Sequence, residues 1–101
     1  MSREDRKCFV QFLLTAPPQQ QHFILKTLTK PQLRCILEII FNVMNRIVPI
    51  TNTDKTILKR QKRIIRELLI KRTTIKLRKK HIFQIRKILY IFCKAYLKYV
   101  S

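Results

Sequence analysis

Apolar residues along this chain recur at helical spacing from end to end. Leu33, Ile36, Leu37, Ile39, Ile40, Phe41, Val43, Met44 and Ile47 cover a little over half of one helical circumference. So wide an arc predicts a central, mostly buried helix from about Pro31 to Val48. Arg34, Glu38, Asn42 and Asn45 form its polar remainder. Upstream, one helix is expected from about Ser2 to Leu14, and a second from about Pro18 to Leu28, with Pro18 suited to a first turn. Thr29 or Lys30 is the expected cap of the third helix and Pro49 its stop.

The link "VPITNTD" follows, with Thr53 or Asp54 placed to cap a fourth helix from about Lys55 to Lys71. This segment divides sharply. Ile57, Leu58, Ile64, Ile65, Leu68 and Leu69 share one side; Lys59, Arg60, Lys62, Arg63 and Arg66 share the other. A fifth helix is expected from about Thr74 to Tyr99, with "RTT" marking a turn or kink. There Leu77, Ile85, Ile88, Leu89, Phe92 and Tyr96 point inward, while Lys79, Lys80, Arg86, Lys87, Lys94 and Lys98 point out. The predicted fold is an all-α compact bundle of four to five helices, with a central buried third helix and two basic C-terminal helices.

Composition supports this. The 101 residues make one small domain, with a near-neutral three-helix half (1–48) and a strongly basic two-helix half (54–101). There is no glycine, so turns needing positive φ must use Asn or be avoided. That disfavours hairpin-rich β folds. Cys8, Cys35 and Cys93 are widely spaced within apolar stretches, which predicts buried free thiols and no metal site. The longest unbroken apolar run, Ile88 to Cys93, is far below the ~18 residues that span a bilayer.

Charge changes the picture most. Residues 1–54 carry seven basic and four acidic residues (7 − 4 = +3), and residues 55–101 carry sixteen and one (16 − 1 = +15). Lys59/Arg63 and Lys62/Arg66 are like-charge i,i+4 pairs, each costing a few tenths of a kcal/mol in an isolated helix. Only Glu67 offsets them. A solvated face normally mixes signs, and this one does not.

Nucleic acid, with DNA favoured, is the first-ranked counterpart: Lys and Arg neutralise phosphates and release counterions. The candidate contacts are Lys59, Arg60, Lys62, Arg63, Arg66, Lys76, Lys79, Lys80, Arg86, Lys87 and Lys94. Phe83 and Tyr90 fall within the basic stripe of the fifth helix. Packing against another subunit or burial beneath Lys stems is preferred for them over stacking on bases. "KRQKR" and "KLRKK" also match nuclear-import signals, as basic helices commonly do. A protein-interaction or homo-oligomeric module meeting an acidic partner ranks second, and an anionic membrane surface third. Five acids, two histidines without an evident carboxylate or cysteine partner, and no glycine-rich phosphate loop argue against an enzyme and against a cofactor.

Several short elements occur in a telling order: "LL.A.P.Q" (Leu13–Gln20), "LKT" (Leu25–Thr27), "C..E...NVMN" (Cys35–Asn45), "VPIT", "LKRQKRIIREL" and "IKLRKKHI.Q". Together these roughly 70 residues resemble the short, basic, largely uncharacterised proteins of adintovirus- and Maverick/Polinton-like viral elements in invertebrate genomes. The resemblance implies a small virus-encoded protein of the infected cell, its nucleus or the virion core, with an acidic viral protein as one possible partner. By analogy with basic virion core proteins, it implies DNA packaging or condensation. The chain departs from that pattern at "IRKILYIFCKAYLKYV", where those proteins continue into a glycine pair and an apolar, glycine-containing tail.

Overall fold

A computed structural model describes residues 1–70 and 73–100. Among these residues the chain is helical, with no strand. The elements are α1 (Arg3–Thr15), α2 (Pro18–Lys26), α3 (Lys30–Met44), α4 (Asn52–Lys59), α5 (Lys62–Leu69), α6 (Ile75–Gln84), a single 3-10 turn (Arg86–Ile88) and α7 (Leu89–Val100).

Side-chain caps start four of these helices. Ser2 and Asp5 form a capping box on α1, and Thr29 and Gln32 form one on α3. Thr51 accepts from the Asp54 N–H at the head of α4, and Thr74 accepts from the Leu77 N–H at the head of α6. The fourth helix therefore begins at Asn52, ahead of the expected Lys55, because Thr51 caps it and not Thr53 or Asp54. Pro18 opens α2 as expected. Gln21 Nε2 ties α2 back to α1 by donating to the Leu13 carbonyl at 2.8 Å.

Seven helices stand among the described residues where four to five were expected. The expected fourth helix breaks at Arg60–Gln61, where Gln61 takes φ −110°, ψ 17° and both amides bond three residues back. The expected fifth breaks at Ile85 (φ −97°, ψ 16°). Length explains the second break. A straight helix from Ile75 to Val100, 26 residues, would run about 39 Å at 1.5 Å per residue. The molecule's longest extent is 31 Å. Lys71 and Arg72, the expected end of the fourth helix and start of the "RTT" turn, lie outside the described residues.

The third helix is central as read: Leu33, Cys35, Ile36, Ile39, Ile40 and Val43 are buried. It shares the centre with α7, which packs on both α1 and α3 and buries Leu89, Ile91, Phe92 and Cys93. One core joins every helix. Arg6 links α1 to α3 through Glu38 at 2.9 Å, and the hydrogen bond and charge of Glu38 raise the Arg6 guanidinium above its ordinary value.

Four inward assignments change. Phe41 and Ile47 are about half exposed. The helix ends at Met44, so Ile47 is not on it, and Phe41 sits at the edge of the arc away from Ile36, Ile40 and Val43. Leu77 is exposed because the break at Ile85 resets the phase: α6 turns Arg78, His81, Ile82 and Ile85 inward instead. Cys8 is exposed, because α1 buries Val10 and Leu13, with Phe9 half-buried beside them, and Cys8 lies off that stripe.

One turn does need positive φ. After α3, Arg46 adopts φ 62°, and the amides of Ile47 and Val48 both donate to the Asn42 carbonyl. The position normally belongs to glycine. The expected asparagine does not take it: Asn45 stays at φ −93° and spends its amide on the Phe41 carbonyl.

Candidate nucleic-acid interface

α5 and α6 pack against each other, and each carries cations on its exposed side. Ile65 and Leu68 are buried on α5, and Ile82 on α6. That orientation leaves Lys62, Arg63 and Arg66 exposed on one helix and Lys76 and Lys80 exposed on the other. Lys79 is half-buried. Lys59 and Arg60 are exposed at the α4–α5 corner. Glu67 is the lone acid of residues 55–101. It lies 3.7 Å from Arg63, so most of this charge has no acid within its own segment to meet.

The contact beneath this surface is polar. His81 is buried, and its Nε2 lies 3.2 Å from Glu67 Oε2. Expected to have no carboxylate partner, His81 has one because α6 crosses α5 at that position. His81 Nδ1 and Arg78 Nε are buried without hydrogen-bond partners among the described residues. Arg78 also donates from Nη2 to the Ile70 carbonyl at 2.8 Å, and Thr73 Oγ1 donates to the Glu67 carbonyl. The basic surface thus rests on a contact that fixes the two helices relative to each other.

Three expected contact residues, Arg86, Lys87 and Lys94, lie beyond α6. Arg86 is half-buried and turned inward: Nη1 donates to the Phe83 carbonyl at 3.0 Å, and the guanidinium lies 4.4 Å from the Phe83 ring centre. Lys26 of α2 approaches the same ring at 5.4 Å, and His22 meets it edge-on at 5.3 Å. Phe83 is therefore half-buried beside two cations of its own chain. Lys94 lies on α7, 5.7 Å from the ring of the exposed Tyr90, in a groove with Leu14, Ile50 and Asp54. Lys87 is exposed on the 3-10 turn.

The sequence pattern missed Arg46 and Lys55. Both line a groove with Lys59 and Lys62. The i, i+4, i+7 spacing of Lys55, Lys59 and Lys62 was the available signal for one of them. Nothing local places Arg46 there, since that depends on the turn after α3.

Among the described residues, no helix is long and apolar enough to cross a membrane. Set against protein-family models, curated proteins and solved structures, the chain matches none of them.

Proposed function

We propose that this protein binds nucleic acid, duplex DNA in preference, through the α5–α6 surface and without strong sequence selectivity. The observation that carries the proposal is the packing of α5 against α6, two helices that both expose cations, in a segment with sixteen basic residues and one acid. Such a surface matches a phosphate backbone in charge. Among the described residues of α5 and α6 no aromatic ring is fully exposed: Phe83 is half-buried beside Arg86 and Lys26, and Tyr90 belongs to α7. Recognition is thus of backbone charge and not of bases. With the sequence resemblance to basic proteins of adintovirus-like elements, the proposal extends to packaging or condensing DNA in a host nucleus or virion.

Fluorescence anisotropy with unrelated duplexes tests this. With about six phosphate contacts, the log–log salt slope is near −5, and affinity falls about a thousandfold between roughly 50 and 200 mM salt. Absence of binding at about 50 mM salt sinks the proposal.

A second reading, a homo-oligomeric or acidic-partner module, draws on Phe12, Phe23 and Phe41, which are 54%, 67% and 49% exposed. Sedimentation equilibrium decides it: a monomer at all concentrations removes the homo-oligomer.

A further inference from the structure

Between the end of α3 and the α4–α5 corner lies a groove of about 480 Å³, within the roughly 300–1,000 Å³ range of ligand sites. Its floor is aliphatic, including Val43, Met44, Ile50 and Leu58, and its rim carries Arg46, Lys55, Lys59 and Lys62. Among the described residues, no acid lines it. We propose that this groove binds a small amphiphile: one aliphatic chain bearing an anionic head, carboxylate or phosphate.

Three observations converge on that chemistry. First, four cations from the turn after α3, from α4 and from the head of α5 gather at one rim, with Lys55/Lys59 at a mutually repelling i,i+4 spacing within α4. An anion held between these groups offsets that repulsion. Second, the lining contains no aromatic ring. It offers no platform for a base but suits an alkyl chain, with the unbranched Met44 able to adapt to its shape. The ligand class therefore differs from that of the α5–α6 surface, although Lys59 and Lys62 serve both. Third, Arg46 reaches the rim from a left-handed backbone conformation, which is unfavourable for a residue with a Cβ. Strain of this kind marks places where a side chain is held for use.

The chain has two methionines, Met1 and Met44, so methyl labelling gives a two-signal NMR spectrum that reports on the groove floor. The probes are dodecanoate and dodecyl phosphate below their micelle concentrations, with dodecanol and a dodecylammonium salt as controls. The expected result is a saturable, one-to-one shift of the Met44 methyl, at least about tenfold tighter for the anions than for either control. In the double variant Arg46→Gln/Lys55→Gln, anion affinity falls about tenfold or more while dodecanol binding is unchanged. Neither residue belongs to the proposed DNA contacts, so duplex binding by the same variant separates failure here from failure there. A second arm uses vesicles containing phosphatidylglycerol. A Met44 response to vesicles, but not to the free amphiphiles, assigns the site to an anionic lipid presented by a membrane. An unmoved Met44 methyl in both arms, shifts that never saturate, or equal affinity for the ammonium control overturns the proposal.

Discussion

His81 on α6 and Glu67 on α5 meet at 3.2 Å between Nε2 and Oε2, joining the two helices that carry the basic surface. With the imidazole buried, losing the acceptor strands a donor away from water. Glu67→Ala lowers unfolding free energy by about 1–3 kcal/mol. Glu67→Gln, which keeps an amide oxygen in place, loses less. Urea denaturation of both variants checks this, and equal losses would mean that the carboxylate charge, not the acceptor, holds the helices together.

The placement of Arg66, Lys80, Arg86 and Lys94 separates their roles in binding DNA. Arg66→Ala and Lys80→Ala each weaken all duplexes alike and reduce the salt slope by about one. Lys94→Ala leaves the slope unchanged, since Lys94 lies in the groove with Leu14 and Asp54. Arg86→Ala lowers thermal stability, because it removes both the Phe83 carbonyl contact and the cover over the ring. Anisotropy at several salt concentrations, paired with melting curves, reads all four.

The cysteines react unequally. Burial raises the thiol of Cys35, and it pushes Cys93 up to about 12 from an ordinary 9.0. Cys8 is exposed. One thiol reacts with Ellman's reagent at pH 8 in the native protein, and two more appear on unfolding.

Burial likewise raises the Tyr96 hydroxyl above its ordinary 10.0. In all three groups the folded state holds its proton to higher pH than the unfolded chain does. Their contribution to stability is complete below the ordinary values and is lost as pH rises from about 9 towards 12. Urea midpoints measured at steps across that window should fall continuously, and a flat profile contradicts the burial of Cys93.

Arg46 gives the fourth stability test. Glycine occupies its left-handed conformation without a Cβ clash, a relief of roughly 1–2 kcal/mol, against an entropic cost of about 0.4–1 kcal/mol in the unfolded chain. Arg46→Gly is therefore stabilising by up to about 1.6 kcal/mol, seen as a higher urea midpoint at unchanged m-value.

Helical periodicity carried most of the architecture. The division of Leu58, Ile65 and Leu68 from Lys59, Lys62 and Arg66 survives in the folded chain, because side-chain phase alone determines it. The breaks at Arg60–Gln61 and Ile85 left no such trace. Ile57, Leu58, Ile64 and Ile65 keep phase as if the helix were continuous, so their spacing holds no sign of the corner. The site was legible to the same degree. The cations of α5 and α6 could be read from spacing. The inward turn of Arg86, the separate position of Lys94 and the arrival of Arg46 beside Lys59 are tertiary facts.

Among the described residues, the most extensive helix pairing is that of α1 with α7, two helices far apart in the chain. Val10 and Leu13 are buried on one, and Leu89, Ile91, Phe92 and Cys93 on the other. A pairing of such long sequence separation closes a large loop, and its entropic cost is met before its contacts form. The α1–α7 contact is therefore a slow step of folding, and the basic helices between them are held within the loop that it closes.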